Sequence, residues 1–384
     1  MIPLSVPHIN GNEWKYVKDC LDTGWISSAG TYVNQFEQMV ADYAGVKYGV
    51  ACMNGTVGLH IAQLLAGVEI GDYVIVPNIT FIATLNAVKY TGATPILIDV
   101  NPNNWQMDLD LLEKYLSENT ITIEDERGIN SYLNSTFKRI KAIVPVHVLG
   151  NIGNLERLKE IATRYNLEII EDSTEALGSF YKGKHAGSFG KFGVFSFNGN
   201  KIISTGGGGV IVTDNEELAK KAKHLTTQAK TSQMEYMHDE IGYNYRLVNI
   251  LAAIGVAQME EFMNIRSKKR KIDAFYRSEL AGIGDIQFQH VSSDVEVNCW
   301  LFTFKTNSMR RLLEFLNANE VQARPFWMPM NQLAMFENEI YVQNKDQSSK
   351  IYETCISIPC SAGITQEQLE EVVRKIKEFF KREE

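Results

Sequence analysis

Short apolar runs punctuated by polar turns dominate the middle of the chain: VIVP (74–77), TPILIDV (94–100), AIVPVHV (142–148), LEIIED (167–172), FGVFSF (192–197) and GVIVTD (209–214). A strand with one wet face alternates apolar and polar positions. These runs do not alternate, so they read as strands buried on both faces, the pattern of a mostly parallel sheet. The segments between them, LERLKEIATRY for example, place apolar residues at helical spacing and supply the covering layers. The expectation is a three-layer α/β domain with a mostly parallel sheet. SENTITIEDERGINSYLNS (117–135) breaks the rhythm and reads as a polar insertion before the strand at Ala142.

From Leu247 to Leu280 the pattern becomes long and helical and turns from apolar to charged, as a helix would that carries the chain out of one domain into another. Strand-like VNCWLFTFKT follows. A closing helix starts at Thr365 with Gln368 three residues on, a capping box, and carries one stripe of Leu369, Val372, Val373, Ile376, Phe379 and Phe380. The division expected is a large α/β domain over residues 1–250 and a smaller α+β C-terminal domain over 251–384.

With 384 residues and 45% hydrophobic content, the chain is long enough for both cores. Its net charge of -8 provides no global basic field for nucleic acid or an anionic membrane. The five cysteines are scattered without a CxxC, which fits reduced thiols; Cys355 and Cys360, the nearest pair, read as core thiols rather than metal ligands. The opening MIPLSVPHINGNEWKYV lacks a basic and then apolar leader, and no run reaches the roughly 20 apolar residues of a membrane helix, so a cytoplasmic location is expected. N-x-Ser/Thr triplets begin at Asn54, Asn78 and Asn134; without export they carry no glycan.

Chemistry enters with GVFSFNGNKIISTGGGG (193–209), where Lys201 stands between an aromatic strand and four glycines. A P-loop needs Gly-Lys-Ser/Thr, but Asn200 precedes Lys201 and Ile202 follows it; nor can the glycine run be read as GxGxxG. No HExxH occurs among the seven histidines. Three other features belong with the lysine. Gly55 and Thr56 precede a helix with apolar Val57, Ile61, Leu64, Leu65 and Val68, so their N–H groups can form an anion site, although simple N-capping by Asn54 or Thr56 describes them equally well. Asp172 ends the strand LEIIED, where ligands gather in open α/β sheets; a plain helix cap is the commoner role. Phe81 follows a strand and Thr80, and can stack on a flat ring or fill a core. Lys201 itself is either a solvated surface residue or a carbonyl-trapping amine whose pKa burial depresses. In this order, the four supply what pyridoxal phosphate needs at its phosphate, ring face, pyridine nitrogen and aldehyde.

The motifs GTVGLHIAQLLAGVEIGDYVIVPNITFIATLNAV, PVHVLGNIGNLERL, IIEDSTEALGS, FSFNGNKIISTGGGG and GYNYRLVNILAAIGVAQM, with WISSAG near the start and ARPFW in the C-terminal part, span nearly the whole chain. Together they resemble the DegT/DnrJ/EryC1/StrS family of nucleotide-sugar aminotransferases, fold type I enzymes that use pyridoxal 5′-phosphate. The resemblance implies that Lys201 captures the cofactor aldehyde and Asp172 faces the pyridine nitrogen. It further implies that Phe81 stacks on the ring, that Gly55, Thr56 and Ser196 hold the phosphate, and that Asn244 reaches the phosphate in a neighbouring subunit, hence a homodimer with shared active sites. Trp25, Ser27, His147 and Arg324 are substrate-contact candidates by position. Glu175 stands where many members have Gln or His; a carboxylate beside the cofactor's phenolate oxygen is repelled unless it is protonated or turned away. Lysine at 201 argues against the dehydratase branch, which has histidine there. The GNK and EDSTEALGS segments are most similar to enzymes that aminate UDP-linked 4-keto-6-deoxy-N-acetylhexosamines for bacterial surface glycans or glycoproteins, with L-glutamate as donor. The alternatives are a 3-aminotransferase acting on a dTDP- or GDP-linked keto sugar and a non-catalytic nucleotide-sugar-binding homologue.

Overall fold

The apolar runs do become strands, and their order explains where a site can form. The computed structural model describes residues 1–27, 29–232 and 234–383. In chain order the strands of the first part are β1 (Tyr48–Cys52), β2 (Tyr73–Pro77), β3 (Thr94–Ile98), β4 (Thr120–Asp125), β5 (Gly128–Leu133), β6 (Arg139–Ile143), β7 (Glu168–Asp172), the short β8 (Phe180–Tyr181) and β9 (Lys184–His185), β10 (Phe192–Ser196) and β11 (Gly209–Thr213). Those of the second part are β12 (Gln287–Phe288), β13 (Val295–Glu296), β14 (Phe302–Lys305), β15 (Arg324–Pro325), β16 (Ile340–Val342) and β17 (Cys355–Ile358).

The main sheet runs β1-β11-β10-β7-β6-β2-β3-β16. From β10 to β16 every neighbour is parallel, whereas β11 is antiparallel to both β10 and β1. Two reversals restore direction, so β1 points the same way as β7 and β10. Their carboxyl ends, and that of β2, therefore open on one edge. Both faces are covered: Val74, Val76, Leu97, Val144, Ile170 and Val194 pack into one apolar layer, and Ile75, Ile96, Ile98, Ile143 and Ile169 into the other. Alternate residues of each strand thus serve opposite layers, the reason these runs are apolar throughout. This is the three-layer, mostly parallel architecture of fold type I.

Three elements lie outside the sequence expectation. The strand YGVAC is β1. The polar stretch 117–135 is no loose insertion: it forms the antiparallel hairpin β4–β5, whose Ser131 and Tyr132 pair with Ile140 and Arg139 at the amino-terminal end of β6, away from the ligand edge. The third is β16, a strand from the C-terminal part that extends the large sheet beside β3.

The long helical pattern splits into two helices, Asn249–Glu260 and Phe262–Leu280. Ala252, Val256, Met259, Phe262 and Ile265 pack with Phe36, Phe195 and Phe197 of the large core, whereas Ile272, Tyr276 and Leu280 belong to the small one. The apolar contacts therefore change hands between Ile265 and Ile272, downstream of residue 250. The small core is an antiparallel sheet, β12-β14-β17-β15, packed by the helices Met309–Ala318 and Gln366–Glu383. The capping box is present: the Thr365 N–H donates to Gln368 Oε1 at 3.0 Å, and the Gln368 N–H donates to Thr365 Oγ1 at 3.3 Å. All six residues of the stripe are buried. The two parts are latched by buried Asp99, just past β3, which accepts the Gln347 and Ser348 N–H groups at 2.8 Å each at the start of helix Gln347–Thr354. All five cysteines are free.

Candidate active site

At the carboxyl edge of the sheet lies a cavity of about 390 Å³. Among the residues lining it are Gly55, Thr56, Phe81, Asp172, Glu175, Ser196 and Lys201, each singled out above for cofactor chemistry. They come from the ends of β1, β2, β7 and β10, which the sheet order brings side by side.

The first wall is a helix start. Asn54 caps helix Gly55–Leu65, its Oδ1 accepting the Val57 N–H at 3.0 Å while its carbonyl accepts that of Gly58. Capping and anion binding are thus compatible: Asn54 serves the third and fourth N–H groups, and those of Gly55 and Thr56 stay at the cavity. Glycine at 55 keeps this corner open: a Cβ there would lie 3.0 Å from both Ser196 Cβ and Thr174 Cγ2, tight enough that one of them would have to shift. The last glycine of the run answers to closer crowding. A Cβ on Gly209 would come within 2.6 Å of the Asn54 carbonyl carbon, so glycine there lets β11 pass directly behind this helix start.

Asp172 is buried and oriented by two donors. The Thr84 hydroxyl donates to Oδ2 at 2.7 Å and the Thr174 N–H to Oδ1 at 3.2 Å. Behind it, Glu171 points into the opposite layer. Burial alone would raise the Glu171 carboxyl, but hydrogen bonding and charge from His147 and the N–H groups of Gly187 and Gly190 hold it below the ordinary carboxylate value. This places His147 away from the cavity: its imidazole is buried and hydrogen-bonded to Glu171 at 2.9 Å, so the structure gives His147 a contact within the opposite layer in place of the expected substrate contact.

Lys201 follows β10 in a turn, its N–H donating to the Asn198 carbonyl at 3.0 Å. Its side chain is 12% exposed, with Nζ 4.3 Å from the Trp300 ring centroid and 3.8 Å from Glu175 Oε1. Burial lowers its pKa; the Glu175 and Asp172 carboxylates oppose that without cancelling it. Glu175 shows the reciprocal effect. Burial pushes it up to about 7, against the pull of Lys201 and of the Leu149 N–H, which donates to Oε2 at 2.8 Å, while Asp172 adds to the rise. A depressed amine beside a raised carboxyl brings the proton affinities of the two groups closer together, as is common at functional sites.

Sequence reasoning missed the far wall. Trp300 and Trp327 of the C-terminal part line the cavity with rings nearly parallel, and Trp300 Nε1 donates to the Asn200 carbonyl at 2.7 Å, pinning the lysine turn. Thr84, Thr174, Asn198 and Asn200 were likewise not singled out. Trp300 lies in the strand-like VNCWLFTFKT and Trp327 ends the ARPFW segment, but nothing in either pattern marks the ring as facing a ligand. Thr174, by contrast, lies within the EDSTEALGS segment, where the Asx-type contact to Asp172 two residues back was the available signal. Phe81 is 56% exposed at the rim, available for stacking. Trp25, Ser27, Asn244 and Arg324 are exposed and stand outside this cavity.

Pyridoxal phosphate fits the residues present: a glycine cradle with two N–H groups, Thr56 and Ser196 hydroxyls for a phosphate, an oriented carboxylate for a ring nitrogen, and a buried amine of lowered pKa for an aldehyde.

Comparison with known proteins agrees. The sequence profile of the DegT/DnrJ/EryC1/StrS aminotransferase family matches residues 7–377. GDP-perosamine synthase of Caulobacter vibrioides is 36% identical over 97% of this chain and 96% of its own, and that of Escherichia coli O157:H7 is 37% identical over 99% and 98%. The PLP form of the sugar aminotransferase Spr1654 from Streptococcus pneumoniae superposes with a TM-score of 0.88 at 24% identity, covering 99% of both chains. Both synthases are named for a GDP-linked sugar, which stands nearer to the GDP-linked alternative than to the UDP-linked N-acetylhexosamine expectation. Among the described residues no helix is long and apolar enough to cross a membrane. Matched by the family profile over residues 7–377 and by these synthases over nearly all of its length, the chain belongs to the DegT/DnrJ/EryC1/StrS aminotransferase family and is a pyridoxal-phosphate-dependent sugar aminotransferase.

Proposed function

We propose that the protein transfers an amino group, from L-glutamate, to the C4 keto group of a GDP-linked 4-keto-6-deoxyhexose, for synthesis of a bacterial surface sugar. The observation that supports this reading most is full-length similarity to two GDP-perosamine synthases, joined to a cavity that retains Lys201, Asp172 and the helix start together. When bound, pyridoxal phosphate supplies an electron-withdrawing ring that stabilises negative charge at the carbon losing its proton and stores the amino group between the two halves of the reaction. The chain's own residues do the rest. The Gly55 and Thr56 N–H groups with Ser196 anchor the phosphate. Asp172, fixed by Thr84 and Thr174, sets a negative charge against the ring nitrogen. Lys201, with burial lowering its pKa, holds and returns the proton at Nζ. Trp300 and Trp327 wall off water on the substrate side.

The proposed working unit is a homodimer with shared active sites. Asn244 does not line the cavity of its own chain but sits exposed between Tyr243 and Tyr245, near Met234 (93% exposed), Tyr236 (92%) and Ile241 (85%). So many large apolar side chains in one stretch suit a surface that a second copy covers. Trp25, Ser27 and Arg324 are the proposed substrate contacts outside the cavity.

The test is a panel of GDP-, UDP- and dTDP-linked 4-keto and 3-keto sugars, with and without a 2-acetamido group, read by consumption of L-glutamate. Turnover with the GDP-linked 4-keto sugar at least tenfold above the others is expected. Preference for a UDP-linked acetamido sugar would overturn the assignment while leaving the aminotransferase intact.

A further inference from the structure

Asp172 is oriented by two donors toward the ring nitrogen and Lys201 is the family's lysine, but Glu175 has no assigned part. Its position is specific. Its side chain is buried, one carboxylate oxygen is tethered by the Leu149 N–H at 2.8 Å, and the other faces Lys201 Nζ at 3.8 Å. The tether is built deliberately into the backbone: Leu149 holds a left-handed conformation (φ 59°), rare for a branched side chain, and Gly150 follows at φ 75°. A Cβ on Gly150 would collide with Asn298 Oδ1 at 2.2 Å, and Asn298 in turn donates to the Glu175 carbonyl at 2.7 Å. The loop 148–150, the Glu175 backbone and Asn298 thus lock one another, and the carboxyl cannot swing to water.

We propose that Glu175 is the acid–base partner of Lys201, a buried carboxyl that shares one proton with the catalytic amine. When Nζ closes the 3.8 Å to Oε1 and gives up its proton, Oε1 receives it, and an ammonium–carboxylate pair becomes an amine–carboxylic acid pair with no change in total charge. The amine becomes a free nucleophile or base without a proton having to leave a cavity walled by Trp300 and Trp327. The groups facing the pair are few: Asp172 from the end of β7, the Leu149 N–H from the loop after β6, and the Trp300 ring from the small part. The elevated pKa of Glu175 and the depressed one of Lys201 move the two toward each other, as sharing requires. Glutamine at this position could not take up the proton.

This rests on the aminotransferase reading but not on the identity of the sugar, and the experiment separates the two. Cofactor-free wild-type protein, Glu175→Gln and Glu175→Asp are mixed with pyridoxal phosphate alone, and the rate of covalent capture by Lys201 is followed by absorbance from pH 5.5 to 9.5. Capture uses no nucleotide sugar, so failure of every sugar in the panel leaves it unaffected. In the wild type the rate should follow two coupled ionisations. In Glu175→Gln, which keeps the bond from Leu149, the anion that raises Lys201 is gone, and a single ionisation should remain, displaced to lower pH by about one unit or more. A pH-difference infrared spectrum of the cofactor-free protein should lose a protonated-carboxyl carbonyl band in the same variant. Glu175→Asp should retain two ionisations. Superimposable pH profiles for wild type and Glu175→Gln, or an unchanged carboxyl band, would overturn the proposal; matching circular dichroism of the variants shows that the comparison is between folded proteins.

Discussion

The two sides of the cavity differ in origin. The floor, Gly55, Thr56, Asp172, Ser196 and Lys201, hangs from strand ends of one sheet, so backbone topology fixes each functional atom within a layer that is apolar on both faces. The opposite wall, Trp300 and Trp327, comes from the C-terminal part and packs in a core shared by both parts, with Ile79, Val100, Val146 and Val148 on one side and Phe326 and Cys355 on the other; Trp300 meets the floor through a hydrogen bond to Asn200, 100 positions away, and the contact of Lys201 on its ring. The contrast teaches a division of labour: floor residues should govern the cofactor, and wall residues should govern the sugar.

Substitutions break or sharpen this division. The largest effect is expected at Lys201→Ala, which should lower amino transfer about 10³-fold or more and remove the covalent cofactor band in absorbance; a retained band would place the covalent link elsewhere. Asp172→Asn removes a charge-assisted contact of about 1.5–3 kcal/mol, so cofactor affinity by equilibrium dialysis should fall tenfold to a hundredfold.

The next effect concerns pH. Glu175 stands at about 7 in the folded chain against 4.5 ordinarily. Between those values the native state binds more protons than the unfolded one. The stability Glu175 contributes is therefore complete below about pH 4.5 and is lost as pH rises through about 7, a change of about 1–3 kcal/mol. Urea midpoints of cofactor-free Glu175→Gln should match wild type at pH 5 and exceed it at pH 8; parallel curves would show that the carboxyl titrates normally. Gly55→Ala forces a Cβ against Ser196 and Thr174 and should weaken cofactor binding by about 1–2 kcal/mol, with little change in the KM of the sugar once cofactor is saturating. Smallest of all, Trp327→Ala should raise the KM for the sugar by about 1 kcal/mol, roughly fivefold, and leave the cofactor spectrum as in wild type. A spectrum that moved with Trp327 would erase the distinction between floor and wall.

Much of the floor was legible because the rules that write it are local. Buried strands demand continuous apolar runs, a helix start at a strand end presents free N–H groups, and a glycine must stand wherever two backbones nearly touch. Lys201, Asp172 and Gly55 were singled out in that way, as was the Thr365 box, whereas Ser196 entered only through the family resemblance. His147 misled because a polar residue at a strand end reads the same whether it faces ligand or the opposite layer; one residue of register separates Asp172 at the cavity from Glu171 in its pair with His147.

The sequence by itself determined the layered sheet, which follows from periodicity, while the order of its motifs and their resemblance to a family pointed to a lysine and a carboxylate around a cofactor. Only the tertiary structure decided that a polar stretch becomes the hairpin β4–β5, that β16 crosses back to extend the large sheet, and that two tryptophans close the site. It also decided that Glu175 is buried against Lys201. These are contacts between segments far apart in the chain, and burial, which sets the charge of both groups, exists only once the segments have packed together.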